Sequence, residues 1–146
     1  MIEQYPLSKR LRAKLERGGV VTDVEKNTLS YLYQLSDELI IKYHDSFNWD
    51  LLVCNKLLSE AIIAQFQDEV NWTYVSRYQT LSMAFINFYQ DKVNWDEIII
   101  HQDLSEDFLL QHLTKLPLKT LKLYHPNFYA KYELWLYQHL TKSEES

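Results

Sequence analysis

The sequence predicts an all-α fold of stacked short helical hairpins, an α-solenoid-like array of about four 23-residue repeats. The 146 residues contain only two glycines and three prolines, whereas all-β folds need turn residues every ten or so positions. A Leu-Ser dipeptide also recurs every 23 residues, and residues 58–80 and 81–103 share 10 identities. Unrelated segments would share about one or two. Such a repeat indicates a unit that buries its apolar face against neighbouring copies.

The Leu-Ser pair predicts the start of the first helix in each copy. Serine is a preferred N-cap because its hydroxyl accepts a hydrogen bond from an unpaired backbone N–H group. The leucine before it and an apolar residue four positions after it have the spacing of a hydrophobic staple. We expect this helix to last about ten residues. The capping serines are Ser36, Ser59, Ser82 and Ser105.

The pattern Asp-x-x-Asn-Trp predicts a tight connection to a second short helix, with asparagine as its N-cap. The tryptophans should fill the seams between hairpins, because each can bury a large apolar area. The aspartates should accept hydrogen bonds from N–H groups of the connection; a row of binding carboxylates is the alternative. The residues are Trp49, Trp72 and Trp95, and Asp45, Asp68 and Asp91.

The repeat predicts a single domain over 1–146 with atypical ends. The fourth copy has Pro117 where the others have asparagine, and a second-helix pattern follows in Leu118, Leu121 and Leu123. The last helix should close the core with one face. That face comprises Phe128, Tyr132, Trp135 and Leu136. The segments are an N-terminal cap 1–34, repeats 35–57, 58–80, 81–103 and 104–126, and a C-terminal capping helix and tail 127–146.

The N-terminal cap has start and stop signals of its own. Leu7 and Ser8 match the staple and cap of a repeat helix, and Gly18-Gly19 is a typical helix stop. Thr22 and Glu25 have the spacing of a capping box. A helix is therefore expected on each side of the two glycines.

The pattern also resembles a known class of repeat. It is carried by Val93-Asn94-Trp95, Ile98, Gln102, Leu104-Ser105-Glu106 and Phe108. These residues are similar to the short tryptophan-containing helical repeats of uncharacterised proteins from large DNA viruses, bacteriophages and some bacteria. The resemblance covers about 35–116 and implies a viral or phage origin and an interaction role. It brings no catalytic residue, and Cys54-Asn55-Lys56 departs from the later copies.

Composition and spacing favour none of the common catalytic or cofactor sites. Gly18 and Gly19 are the only glycines, which excludes a glycine-rich phosphate loop. Cys54 is the only cysteine, and no histidine pair has the spacing of a helical zinc site. No apolar leader and no run of 18 apolar residues is present. We expect no catalytic residue, metal, cofactor or membrane contact, and a cytoplasmic location.

Positions that vary between copies are the candidate binding residues. Tyr78, His101 and Tyr124 share one position at the ends of the second helices, where a solenoid often displays a binding surface. Gln79 and Gln102 occupy the next position. A merely solvated rim is the alternative interpretation.

A second candidate is the basic stretch between Lys9 and Arg17, which includes Arg10, Arg12 and Lys14. It could contact nucleic-acid phosphate or an acidic protein, or be a solvated helix face. The net charge of −5 argues against a general nucleic-acid binder.

These observations predict a non-enzymatic protein–protein interaction module, a small viral or phage factor that binds and inhibits a host protein in the host cytoplasm. One alternative is a nucleic-acid-binding accessory protein that uses the basic N-terminal helix. Another is a self-assembling structural protein, a homodimer formed through the aromatic helix 127–140.

Overall fold

The structure, a computed structural model, describes residues 7–140 and is all-helical there, with no β-strand. The predicted fold class is confirmed, while the solenoid-like arrangement stays a prediction. Single turns of 3-10 helix lie at His44–Ser46 and Leu113–Lys115. The α-helices are α1 (Lys9–Glu16), α2 (Asp23–Leu32), α3 (Asp37–Lys42), α4 (Trp49–Asn55), α5 (Glu60–Gln65), α6 (Trp72–Tyr78), α7 (Met83–Phe88), α8 (Trp95–His101), α9 (Glu106–Gln111), α10 (Leu118–Tyr124) and α11 (Pro126–Leu140).

The helices group into two compact units, Met1–Gln79 and Thr80–Ser146. The first unit contains α1–α6 and the second contains α7–α11. Each unit holds two copies of the repeat, and the boundary lies at the last residue of the second copy. That the whole of 1–146 is one domain stays a prediction. Across residues 7–140, none of the helices combines the length and apolar character that crossing a bilayer requires.

In the first unit the second helices pack in sequence, with α4 against both α2 and α6. Each of the three helices has a fully buried residue at the same repeat position: Leu29, Leu52 and Val75. Successive members of this set are 23 residues apart. The buried periodicity therefore begins in α2, inside the segment that the sequence marked only as a cap. Helix α2 serves as the second helix of an incomplete earlier copy.

In the second unit α10 packs against α8 and α11. Ile98 and Leu121 continue the buried position of the repeat. The second-helix pattern predicted from Leu118, Leu121 and Leu123 is present as α10, in which Leu123 is 70% exposed. At about 100° per residue, Leu123 lies about 200° around the helix from Leu121. The core of this unit consists of Ile99, Leu109, Leu116, Leu121, Phe128 and Leu136.

Helix α11 closes that core as predicted, except at one residue. Phe128 and Leu136 are buried, and Tyr132 packs against the cluster. Trp135 is 38% exposed and stacks on His139 with 4.2 Å between ring centroids. Because positions i, i+4 and i+8 follow one stripe of a helix, Trp135 lies beside the buried stripe rather than on it.

The predicted caps are present in all four copies. Each Leu-Ser serine accepts a hydrogen bond from the backbone N–H three residues later, at 3.1–3.3 Å. Asn48, Asn71 and Asn94 cap the second helices in the same way. Pro117 begins α10 without a side-chain cap, since proline has no acceptor to offer. These caps satisfy N–H groups that a helix start otherwise leaves unpaired.

The tryptophan of each of the first three copies fixes the connection between its two helices. Each indole Nε1 donates to the carbonyl five residues earlier, on His44, Gln67 and Gln90. The N–H groups of Lys92 and Val93 donate to Tyr89 O. Backbone carbonyls therefore accept hydrogen bonds that were expected to go to the aspartates.

The aspartates themselves lie on the surface. Asp45, Asp68 and Asp91 are all exposed. Asp45 contacts the ring of His44, and Asp91 Oδ1 accepts from Lys115 Nζ at 2.5 Å. The predicted capping role is therefore wrong for Asp45 and Asp91. Asp91 instead pairs with a cation one copy later.

The first helix of each copy is shorter than expected, with six residues instead of about ten. At Phe66 the C-cap φ is −108°, outside the helical range. The next N–H groups, of Glu69 and Val70, both bond back to Phe66 O. A compact turn therefore replaces the last helical turn.

The N-terminal hairpin follows its sequence signals. Ser8 caps α1, and Thr22 forms a capping box with Glu25 at the start of α2. Gly18 has φ +66°, the left-handed conformation that glycine adopts at no steric cost. The predicted helix stop is confirmed at this residue.

Candidate functional site

Gln79 is a structural residue and not part of an exposed binding surface. It is 3% exposed. Its Nε2 donates to Val53 O at 2.6 Å and to Lys56 O at 2.7 Å, while its Oε1 accepts from Leu58 N at 2.8 Å. The prediction of Gln79 as a binding residue is wrong because its amide is engaged by two backbone carbonyls of the preceding copy and by Leu58 N at the start of its own copy.

The same repeat position has the same task in the other copies. Lys56 Nζ donates to Tyr31 O at 3.2 Å, and Gln102 Oε1 accepts from Leu81 N at 3.0 Å. His125 Nε2 lies 3.0 Å from Ile99 O. Gln102 is half-buried, and its bond to Leu81 lies within its own copy, 81–103. We call this position, at residues 56, 79, 102 and 125, the bridging column.

The sequence does contain a signal for the bridging column, although the prediction missed it. All four copies carry a long side chain with a hydrogen-bonding end there, namely lysine, glutamine, glutamine and histidine. The preceding position holds Asn55, Tyr78, His101 and Tyr124, whose sizes and chemistry vary widely. This signal is not sufficient by itself, because the side chains of the preceding position also carry a hydrogen-bonding group in every copy.

The preceding position is exposed in three of the four copies. In the first unit Tyr78 is exposed at the end of α6. Arg77 lies 5.8 Å above its ring, and Tyr74 makes an edge contact at 6.1 Å. Asn55 is half-buried and donates to Leu51 O. The first unit therefore presents a single tyrosine at this position, flanked by its own helix.

In the second unit this position combines with exposed apolar surface. Tyr124, at the end of α10, is 53% exposed beside Leu123. His101, at the end of α8, is exposed and lies 3.3 Å from the buried carboxylate of Glu97. Because α8 and α10 pack together, both variable residues belong to the same end of one helix pair.

A cleft of about 320 Å³ opens beside Tyr124. Its apolar lining comes from Leu104, Leu109 and Phe128, and its rim from the α10–α11 corner. We call it the corner cleft. Its lining residues are Leu104, Glu106, Leu109, Tyr124, His125, Pro126, Asn127 and Phe128.

The charged and polar groups of the corner cleft are engaged within the chain. Glu106 Oε1 accepts from Lys131 Nζ at 2.6 Å and from Tyr132 Oη at 2.8 Å. These two hydrogen bonds lower the pKa of the Glu106 carboxyl, and the same contact raises the pKa of Lys131. The His125 ring faces Ile99 O. Two of the polar groups that line the cleft, Glu106 and His125, are therefore held by partners within the chain.

The basic helix α1 separates its cations into different environments. Lys14 Nζ lies 2.5 Å from Glu25 Oε2. Arg10, Lys14 and Arg17 line a cleft of about 330 Å³ with Gly19. Arg12 is exposed. It lines neither this cleft nor a second cleft that Arg10 and Lys14 also line. The structure thus brings Arg10 and Lys14 together and leaves Arg12 apart.

Helix α11 also has an exposed apolar face. Leu134 is 71% exposed and Tyr137 is 67% exposed. They are three residues apart, which places them on one side of the helix. These two residues form an exposed apolar patch, and Trp135 and His139 stack on each other beside it; dimerisation through this helix stays a prediction.

Across residues 7–140, no group of three histidine, cysteine or acidic residues could hold a metal ion. Cys54 is half-buried, and burial together with the charge of Asp50 raises the pKa of its thiol. A raised pKa leaves less thiolate, which is the nucleophilic form.

His112 is a buried titratable group. Its ring contacts Phe108 and Trp95, with centroids 4.5 and 5.1 Å away. Its Nε2 is buried without a hydrogen-bond partner in residues 7–140. Burial, with the nearby charge of Lys115, lowers the pKa of His112. The neutral ring therefore belongs to the folded state.

We expect the free energy of unfolding to fall between pH 7.5 and 5.5, by at most about 1 kcal/mol from His112. The unfolded chain takes up a proton near the ordinary pKa of histidine, about 6.5, whereas the folded ring resists it. Stability is thus present above that pH and lost below it. Urea unfolding at both pH values measures the effect. His112→Phe keeps an aromatic ring and should flatten the dependence; an unchanged slope in this variant would assign it elsewhere.

Comparison with known proteins identifies no family for this chain. No family model, curated protein or solved structure matches the chain.

Proposed function

We propose that the chain is a non-enzymatic protein-interaction module that binds a partner at the corner cleft and the adjacent ends of α8 and α10. One observation carries the proposal: Tyr124 is 53% exposed and lines a cleft to which Leu104, Leu109 and Phe128 also contribute apolar surface. Protein interfaces are enriched in tyrosine, and their strongest contacts place a large side chain in a pocket with a polar rim.

The neighbouring surface supports this choice of face. Leu123 is exposed on the same helix end as Tyr124, and His101 is exposed at the end of the adjoining helix. A partner covering this area would bury apolar surface around Tyr124 and exchange hydrogen bonds at His101. The cleft volume lies near the lower end of ordinary ligand pockets, about 300 Å³. It suits an inserted side chain better than a large cofactor.

The state of the polar groups favours binding over catalysis. An enzyme site needs unlike reactive groups converging on one point. In the corner cleft, Glu106 is paired with Lys131 and Tyr132, and His125 faces a backbone carbonyl. These partners occupy Glu106 and His125, so the two groups do not converge on one reacting point.

The resemblance to tryptophan-containing viral and phage repeats suggests the class of partner. A small factor with an interaction surface and no catalytic group would act by binding a host protein and blocking one of its contacts. We propose this inhibitory role, in the cytoplasm of the host, for the face around Tyr124.

The test compares Tyr124→Ser with Tyr78→Ser. The two tyrosines occupy the same repeat position, but only Tyr124 borders the corner cleft. Immobilised native protein and both variants are exposed to host lysate, and any retained protein is purified for affinity measurement. We expect Tyr124→Ser to weaken its binding at least tenfold, which is about 1.4 kcal/mol, and Tyr78→Ser to have little effect. Equal affinity for native protein and Tyr124→Ser would refute the proposed face.

Light scattering of the free protein provides the companion control for self-assembly. The exposed pair Leu134 and Tyr137 favours a homodimer through α11 as the second candidate function. A dimer that Leu134→Glu converts to a monomer, together with no retained host protein, would favour that alternative. A native monomer would remove it.

A further inference from the structure

We infer that the basic face of α1 binds single-stranded nucleic acid, with backbone phosphate at Arg10 and Arg17 and a base against Tyr33. This site lies in the first unit and is independent of the protein-binding face proposed above. It rests on the placement of three cations, on the pairing of one of them, and on an aromatic side chain in the adjoining cleft.

The cations share one side of the helix. Arg10, Lys14 and Arg17 follow the i, i+4, i+7 spacing, which aligns side chains along one helical face. They line the cleft of about 330 Å³ together with Gly19. Arg10 and Arg17 are about 10 Å apart along the helix axis. Two positive groups therefore lie at the two ends of one opening.

Within residues 7–140, only the middle one of these three cations is neutralised by an ion pair. Glu25 pairs with Lys14, and this contact lowers the pKa of Glu25 to about 2. That carboxylate therefore stays ionised at neutral pH and offsets the charge of Lys14. In the part of the chain that the structure describes, neither Arg10 nor Arg17 forms an ion pair. Their guanidinium groups remain available to an anion, which arginine can bind through two parallel hydrogen bonds.

The turn after α1 keeps the opening shallow and backbone-lined. A Cβ atom built on Gly19 would lie 2.9 Å from Lys14 Cγ, so a side chain here would have to displace the lysine. Gly19 N donates to Lys14 O at 2.9 Å, which holds the turn against the helix. The Lys14 stem and this turn thus form the centre of the cleft, and the two arginines form its margins.

An aromatic group lies next to the cations. Arg10 and Lys14 also line a second cleft of about 220 Å³, to which Tyr33, Thr28 and Glu25 contribute. Cations that follow a backbone and an aromatic ring that stacks on a base are the two parts of a single-strand binding site. An acidic peptide would use the arginines and leave Tyr33 without a role. A duplex keeps its bases stacked inside, out of reach of Tyr33.

Fluorescence anisotropy with a labelled ten-nucleotide oligothymidine tests the site on the full chain. The variants are two double substitutions that each remove two positive charges from α1: Arg10→Ser with Arg17→Ser, and Lys9→Ser with Arg12→Ser. Lys9 and Arg12 line neither cleft. Circular dichroism verifies that both fold, and Lys14 is left in place because it pairs with Glu25.

We expect the Arg10/Arg17 variant to raise the Kd for the oligonucleotide at least tenfold, and the Lys9/Arg12 variant to raise it no more than about threefold. The salt dependence of log K should flatten by about 1.4 in the cleft variant, since each phosphate contact on a single strand contributes about 0.7. Tyr33→Ala should weaken binding several-fold with the salt slope unchanged, because stacking releases no counterions.

Four results would overturn the inference. Equal losses of oligonucleotide affinity in the two double variants would mean that a basic helix attracts the strand by its general charge and not through the cleft. Equal or tighter binding of duplex DNA would remove the role of Tyr33. Binding of an acidic phosphopeptide but not of the oligonucleotide would make the site a peptide site. No binding of either anion at 20 mM salt would leave the cleft without this function.

Discussion

Replacing Gln79 with methionine should lower the free energy of unfolding by about 3 kcal/mol. Methionine fills a similar volume but cannot pair with the three backbone groups that the amide now satisfies, Val53 O, Lys56 O and Leu58 N. Each buried group left without a partner costs about 1–3 kcal/mol. Urea unfolding followed by circular dichroism gives the change in midpoint and, with an unchanged slope, in free energy.

Tyr78→Ser is the matched control, because Tyr78 is the adjacent residue and is exposed. Its effect should stay within about 0.5 kcal/mol, as for most surface substitutions. If Gln79→Met unfolded at the native midpoint, water would have to replace the amide at all three backbone groups. The bridging column would then not hold neighbouring copies together.

The local features of this fold could be predicted because they depend on residues close together in the chain. The serine and asparagine caps act over two or three residues, and the glycine stop at Gly18 acts within a single turn. Because the pattern repeats, each correct local prediction applied to every copy. Burial at Leu52, Val75 and Ile98 followed from the same periodicity.

The features that could not be predicted join residues more than 20 positions apart. Gln79 looks like a surface residue because it follows an exposed tyrosine, and only the approach of the preceding copy reveals its partners. The aspartate prediction failed for a related reason. Asp91 pairs with a lysine in the next copy. The connection itself is stabilised by the hydrogen bond from the tryptophan indole N–H to a backbone carbonyl.

The candidate sites were predicted in part. Tyr124 and His101 are exposed as expected, but the corner cleft depends on how α11 folds back beside α9, which no local pattern contains. The sequence identified the basic stretch as one group, but it did not show that Arg10 and Arg12 lie in different environments. Burial of Leu11 and Leu15 sets the orientation of α1 and so separates Arg10 from Arg12.

Trp95→Ala should destabilise the second unit by about 3 kcal/mol, within the range for removing a large aromatic side chain from a packed site. Trp95 packs against the core cluster and lies 5.1 Å from the ring of His112. Its Nε1 donates to Gln90 O at 3.0 Å, so the substitution removes apolar contact and also releases the carbonyl that fixes the connection before α8. Urea unfolding monitored by circular dichroism measures the loss.

Trp135→Ala provides the comparison within the same unit. Trp135 stacks on His139 at the surface and lies outside the buried stripe of α11, so its removal should cost less than about 1 kcal/mol. The difference between the two variants isolates what the repeat position adds to an otherwise similar side chain. Equal losses would mean that the seam between copies derives its stability from residues other than the tryptophan, and that Trp95 recurs in the pattern for a different physical reason.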